Sequence, residues 1–267
     1  MIDDSEGSIL DQILATKRDE VAAIDRKRRE RLIGIAASSP PARPFRAALV
    51  RAPGEPIRAI AEVKRASPSA GAIRAGADPV AIAREYEAAG AAAISVLTDQ
   101  RYFDGDLTFL APVHADVSVP ILRKDFIIAP IQIAEARAAA ADAVLLIAAA
   151  FPFDGVTLDQ CMRAAANFGL DALVEVHSEA ELDAALAVDA TLVGVNHRDL
   201  RTFAIDMSLT ARIAARVPPH VVLVAESGIR TPADVRRLAD AGAHAILVGE
   251  QLMRAPSPGA ALRELLA

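Results

Sequence analysis

A chain of 267 residues with 53% hydrophobic side chains can bury a sizeable core and is too apolar to be disordered. A net charge of -6, with only 4% aromatic residues and no tryptophan, excludes a nucleic-acid partner of either kind, duplex or single-stranded. The single cysteine, Cys161, excludes a disulfide framework and a zinc cluster, suits a reducing cytoplasm, and reads as a buried spacer in a helical pattern rather than a nucleophile.

The chain opens Met-Ile-Asp-Asp-Ser-Glu, acidic and without a signal-peptide pattern. From Ser8 to about Arg31, the residues Ile9, Leu10, Ile13, Leu14, Val21 and Ile24 recur near helical spacing. The charged runs at 17–20 and 26–31 are expected on a solvated face. After Pro40, Pro41 and Pro44, a short helical piece at 45–51 completes an N-terminal helical extension over residues 1–50, expected to fold over one end of the main domain.

From Ile57 the chain becomes rhythmic. Apolar, β-branched runs fall at 59–63, 92–97, 120–122, 143–147, 172–176, 192–195, 221–225 and 245–248. Between them, 79–89, 130–140, 158–168, 179–187 and 231–241 carry helical periodicity. Pro79, Pro130 and Pro232 fall near first helical turns, where a missing N–H costs nothing; Gly90, Gly169 and Gly242 fall just past helix ends, where a left-handed cap is wanted. Near-continuous apolar strands imply a parallel sheet covered on both faces. An open doubly wound sheet would also alternate in this way. Eight strands, with polar residues at the C-terminal end of nearly every one, favour a single (β/α)8 TIM-barrel domain, with the barrel at 57–267. The apolar run at 138–151 is broken by Asp142 and too short to span a bilayer, so no membrane is expected.

The strand ends carry the chemistry. Glu62 and Lys64, two apart, point to the same side, and the small polar loop Arg65-Ala-Ser67-Pro68-Ser69-Ala-Gly71 reads as ligand-contacting or closing; a surface ion pair beside a turn is the alternative. The third strand runs into Arg123, Lys124 and Asp125. Either the strand end is solvated, or Lys124 stands at a barrel mouth beside carboxylates as a proton donor. In Leu173-Val-Glu175-Val-His177, a carboxylate inside the strand end needs a lysine partner or a raised pKa, which makes Glu175 a candidate acid or base; His177 reads as helix entry, with a catalytic role the alternative. Asn196 and Arg198 share one face, a neutral hydrogen-bonder and a planar cation that Asp199 can brace. Ala225-Glu226-Ser227-Gly228-Ile229-Arg230-Thr231 and Leu247-Val-Gly249-Glu250 each lead from a strand through glycine to a helix, a tandem suited to phosphate, with Glu250 offering its backbone rather than its carboxylate. No P-loop, no Gly-x-Gly-x-x-Gly and no metal-spaced His or Cys cluster occurs, so neither cofactor nor metal is expected.

Together, Glu62-Val-Lys64-Arg-Ala-Ser67-Pro68-Ser69, Ser95-Val-Leu-Thr-Asp-Gln-Arg-Tyr102-Phe103-Asp-Gly105, Leu122-Arg-Lys124-Asp125-Phe126, Leu173-Val-Glu175-Val-His177, Val195-Asn196-His-Arg198-Asp199-Leu200, Glu226-Ser227-Gly228-Ile229-Arg230 and Val248-Gly249-Glu250 resemble indole-3-glycerol phosphate synthase. The similarity runs unbroken from about Phe45 to the C-terminus. It implies a cytoplasmic carboxy-lyase of tryptophan biosynthesis that closes 1-(2-carboxyphenylamino)-1-deoxyribulose 5-phosphate to indole-3-glycerol phosphate. By that resemblance Lys124 is the general acid, its pKa lowered by low dielectric and nearby Lys64 or matched by a well-aligned hydrogen bond. Lys64 holds the substrate carboxylate, and Glu175 and Glu62 serve the dehydration. Asn196 binds a hydroxyl and Arg198 the anthranilate carboxylate region. Ser67 and Glu226 belong to the substrate site, and Phe103 and Phe126 form an apolar wall. Ser227, Gly228, Gly249 and Glu250 take the phosphate. The chain departs from the family at His197, Ala129, Ile131, Ala140 and the Phe151-Pro-Phe153 loop. Nothing marks an oligomer interface, which is compatible with a monomer. The rival readings are phosphoribosylanthranilate isomerase, disfavoured because Cys161 lies in a helix, and a non-catalytic binder of phosphate ligands.

Overall fold

The computed structural model describes residues 8–52, 54–199, 202 and 204–267; the acidic start of the chain and Leu200 of the sixth-strand motif lie outside them. Eight parallel strands close into a barrel: β1 (Arg58–Val63), β2 (Ala93–Leu97), β3 (Ile121–Lys124), β4 (Ala143–Ile147), β5 (Asp171–Val176), β6 (Leu192–Asn196), β7 (Val222–Glu226) and β8 (Ala245–Val248). Each pairs with its neighbours in sequence, and β1 pairs with both β2 and β8, so no edge is left open. The doubly wound alternative falls.

Three helices precede the barrel: α1 (Ile9–Ala22), α2 (Arg26–Ser38) and α3 (Phe45–Leu49). Ten more lie between or after the strands: α4 (Pro79–Ala88), α5 (Gln100–Phe103), α6 (Leu110–Asp116), α7 (Pro130–Ala138), α8 (Leu158–Asn167), α9 (Glu179–Leu186), α10 (Leu209–Ala214), α11 (Pro232–Asp240), α12 (Glu250–Arg254) and α13 (Pro258–Leu266). Pro79, Pro130 and Pro232 do sit in first turns. Gly90, Gly169 and Gly242 follow helix ends at φ of 91°, 68° and 101°. Ala140 adopts the same left-handed conformation past α7 at φ 68°, where a Cβ costs roughly 1 kcal/mol relative to glycine.

Two local readings are corrected. The periodic stretch from Ser8 to about Arg31 is two helices, because Asp25 caps a new one by accepting the Arg28 N–H at 2.7 Å. Nor does β3 stop before its charges; it continues to Lys124. Period-two alternation sends Lys124 into the barrel mouth and Arg123 outward, where Arg123 donates to Thr98, to the Gln132 carbonyl and to Asp125, with Glu135 at 3.2 Å.

The preceding helices cover both barrel ends. Phe45 and Leu49 of α3 are fully buried in one cluster with the inward-facing Ile60, Ala93, Leu122, Leu173 and Val224. That plug contributes about 1.5–3 kcal/mol per side chain. Its segment is pinned to the N-terminal strand ends: the Arg43 and Arg46 N–H groups donate to Asp142 and Asp171, and the Arg46 guanidinium reaches the Thr191 carbonyl. Helix α2 packs Leu32 and Ala36, with Ile24 just before it, against Ile131 and Ala134 of α7. Helix α1 lies at the opposite end, over the mouth. No described helix is long and apolar enough to cross a membrane.

Candidate active site

The C-terminal ends of the strands surround a cavity of about 560 Å³, and every residue to which the family resemblance gives an acid–base, substrate or phosphate role lines it, while His177 stands outside. On β3, Lys124 reaches inward until its Nζ donates to Glu175 Oε2 at 2.9 Å and to Glu226 Oε2 at 3.0 Å. Asn196 Nδ2 donates to the other Glu175 oxygen at 3.1 Å, and His177 Nε2 lies 3.3 Å from it. At the end of β1, Lys64 Nζ is 2.8 Å from Glu62 Oε1. The two lysines are therefore each held by carboxylates, and the solvated-strand-end and surface-pair readings fall.

This charge arrangement corrects one expectation. Burial acts to lower the Lys124 pKa, but the charges of Glu175, Glu226 and Glu62 outweigh it and hold the ammonium well above the ordinary lysine value. Glu175 responds in the opposite sense: burial would raise it, yet Lys124 and His177 pull it well below the usual carboxylate range. Glu226 is pushed up to about 7, because burial and the nearby charges of Glu175 and Glu62 exceed the pull of Lys124. Two carboxylates at nearly equal range from one ammonium thus differ, and His177, which of the two meets Glu175 and not Glu226, contributes to the difference.

Two glycines, one inside β6 and one just past β8, admit these carboxylates. A Cβ at Gly194 on β6 would run into Glu226 Oε1, and a Cβ at Gly249 would lie 2.5 Å from Glu62 Oε1. At the seventh and eighth strand ends, Ser227 and Gly228 take successive left-handed conformations at φ 68° and 78°, and Gly228 lies beneath Ile205 and Met207. The Glu250 carboxylate accepts from Arg254 at 3.1 Å, and both residues line the cavity. Phe103 and Phe126 stand with ring centroids 5.9 Å apart on the wall. Ser67 accepts the Ala70 N–H at 3.2 Å, and the Arg198 N–H donates to Asn196 Oδ1 at 3.1 Å. Asp199 Oδ1 accepts from the Thr202 N–H and hydroxyl. His197 turns away from the cavity, as its position beside Asn196 requires, and bridges the Ser227 carbonyl and the Thr210 hydroxyl.

The sequence reading missed Lys17. Read as part of a solvated run, it is buried, with its Nζ 2.8 Å from Asp99 Oδ2, 3.0 Å from Asp125 Oδ1 and 2.9 Å from Glu20 Oε2. A signal was present: Lys17 falls three and four residues after Leu14 and Ile13, on the apolar stripe of α1. Around it Ile9, Leu10 and Ile13 line the cavity, and the loop after β4 holds α1 from outside, with Arg18 over the Phe153 ring at 4.9 Å and paired to Asp154. Cys161 is buried in α8, where burial pushes its thiol up to about 12, as expected of a spacer.

Comparison with known proteins adds to this geometry. The family profile described as indole-3-glycerol phosphate synthase matches residues 10–265. Among relatives named indole-3-glycerol phosphate synthase, that of Desulfotalea psychrophila is 48% identical over 258 residues, covering 96% of this chain and 98% of its own. That of Mycobacterium avium is 47% identical over 268 residues, covering 98% and 95%. Among solved structures, 3-hexulose-6-phosphate synthase aligns with a TM-score of 0.62 at 17% identity over 78% of this chain and 98% of its own, a likeness of fold alone.

Proposed function

The chain belongs to the indole-3-glycerol phosphate synthase family, and from that premise we propose that its barrel mouth closes 1-(2-carboxyphenylamino)-1-deoxyribulose 5-phosphate to indole-3-glycerol phosphate, carbon dioxide and water, in tryptophan biosynthesis. The observation that carries this reading is the Lys124 ammonium bridging Glu175 and Glu226 at the cavity wall, within electrostatic reach of Glu62. Such a group is always protonated at neutral pH. An alkoxide is a still stronger base, so the high proton affinity of Lys124 does not prevent it from acting as the acid.

Ring closure forms a bond from the anthranilate ring carbon to the ketone carbon, and the carbonyl electron pair moves to oxygen, which takes a proton from Lys124. Loss of carbon dioxide returns the electrons of the broken carbon–carbon bond to the ring. The new hydroxyl then leaves as water after protonation from the Glu62–Lys64 pair, and Glu175 takes the carbon-bound proton that restores aromaticity. Two protons are given to oxygen and one is taken from carbon, so one proton enters from solution per turnover. Lys64 and Arg198 hold the carboxylate, Asn196 a hydroxyl, and Phe103 and Phe126 the aromatic ring. Ser67 and Glu226 complete the substrate site. The Ser227 hydroxyl and the backbone at Gly228, Gly249 and Glu250 receive the phosphate, whose charge suits convergent N–H groups. The substrate is a small molecule met in the cytoplasm, and the barrel works as a monomer.

Formation of the indole product, followed by fluorescence, tests the reading. Wild type turns over, and Lys124→Ala binds the substrate but loses at least about a hundredfold in kcat. Substrate binding by the wild type without turnover would establish a phosphate-ligand binder instead.

A further inference from the structure

His177 is an ionisable group beside the site that the scheme above leaves unused. It follows β5 directly and precedes Ser178, which caps α9. Its Nε2 lies 3.3 Å from Glu175 Oε1 and its Nδ1 3.2 Å from Glu181 Oε2. Glu181 also accepts the His177 backbone N–H at 2.8 Å, so the second carboxylate is locked to the ring's own residue. A neutral imidazole has one N–H and can satisfy only one of two flanking carboxylates; a ring between two of them is suited to the imidazolium. The side chain is 10% exposed and does not line the cavity, so it meets the substrate only through Glu175.

We propose that His177 is a positioning residue for the dehydration step: held as an imidazolium by Glu181, it fixes Glu175 Oε1 and keeps that carboxylate ionised until it takes the carbon-bound proton. This rests on the function proposed above. The need for a second cation follows from the order of steps. When Lys124 gives its proton to the ketone oxygen, the charge that holds Glu175 ionised disappears. Glu175, Glu226 and Glu62 are then left as buried neighbours, and such a group draws in a proton from solution. A base that is loaded in this way cannot accept the proton that restores aromaticity. A charge that does not leave during the first step prevents the loading, and His177 is placed to supply it. The ionisable groups facing the ring are Glu175 from its own strand and Glu181 from α9. Adjacent β6 presents the neutral Asn196, while Arg212 on α10 is engaged by Glu179 and Asp206, and Arg216 pairs with Asp183. With both carboxylates outweighing burial, the ring is raised to about 10.

The test compares His177→Gln, which can keep a donor but not a charge, with Glu181→Gln, which keeps an acceptor but removes one counter-charge. In His177→Gln, kcat falls by about tenfold or more with KM nearly unchanged, and the acid limb of the kcat profile moves to higher pH. In Glu181→Gln, kcat is close to wild type at about pH 6 and declines through roughly pH 7–9 as the less supported ring loses its proton. Wild-type kcat and profile in His177→Gln would overturn the proposal, as would a pH-independent loss in Glu181→Gln, which marks a merely structural contact. If His177→Gln loses its melting transition, the Glu181→Gln profile decides alone. Failure of the wild type to turn over removes the proposed function itself, and is seen before any variant is made.

Discussion

Glu226 shows how tightly one side chain's chemistry depends on a missing methyl group elsewhere. Its Oε2 is bound by Lys124, while its Oε1 is buried without a hydrogen-bond partner and occupies the space over Gly194. Glycine inside a strand normally weakens it by loss of packing and gain of chain entropy, so a close approach at that position is the compensating reason. Gly194→Ala should force Glu226 off Lys124 while leaving the β6 backbone in register with β5 and β7. The expected result is a loss of about a hundredfold in kcat from displaced acid–base geometry, with a stability cost of about 1–3 kcal/mol. Adding Glu226→Asp shortens the side chain that meets the new methyl and should recover part of the lost stability, a coupling that a thermal melt of the double variant measures. Equal kcat in Gly194→Ala and wild type would mean that the site tolerates Glu226 elsewhere.

Helix α1 is an element whose position depends on one buried charge. The Asp125 carboxylate that meets Lys17 also accepts from Arg123, Thr98 and the Phe126 N–H. The same cluster therefore ties the extension to the residues flanking Lys124 and to the aromatic wall. Removing one partner of a buried network leaves the others uncompensated, at a cost of about 3–5 kcal/mol. Lys17→Met should accordingly melt roughly 10 °C lower than wild type and raise KM, because Ile9, Leu10 and Ile13 lose their fixed place on the cavity. A lower melting temperature with unchanged KM would show that α1 supports the barrel without shaping the site. The contrast with the strand ends explains what was legible. Glu62, Lys64, Lys124, Glu175 and Asn196 stand where a parallel strand runs out, and barrel topology alone turns such positions into one mouth. Lys17 depends on Asp99 and Asp125, more than eighty residues away, and no local charge pattern carries that distance. The same holds for His177, whose helix-entry place was readable while its contact with Glu175 was not.

At the scale of the whole molecule, the barrel is sealed at one end by Phe45 and Leu49 and left at the other with Glu62, Glu175 and Glu226 buried around two ammonium groups. An apolar lining would be more stable there, so the site is a standing cost to the fold, and Glu226 makes that cost measurable. Its carboxyl titrates at about 7 in the folded chain against an ordinary value of 4.5. Between those values the folded state binds the proton more tightly than the unfolded state does. Stability attributable to this group therefore falls as pH rises from about 4.5 to 7 and stays reduced above. Glutamine resembles the protonated carboxyl and cannot ionise. Glu226→Gln should thus melt close to wild type below about pH 4.5 and progressively above it as pH climbs to 7, with the difference constant beyond. Glu175 and Asp125, both held well below the ordinary carboxylate range, lose their favourable contributions at the acid end in both proteins and largely cancel in the comparison. Calorimetry of the pair across pH 4–8 checks the sign directly. Parallel curves would mean that Glu226 is ionised throughout, and that the Lys124 charge outweighs its burial; a widening gap, accompanied by lost turnover in the glutamine variant, would identify the destabilising proton site as one the reaction needs.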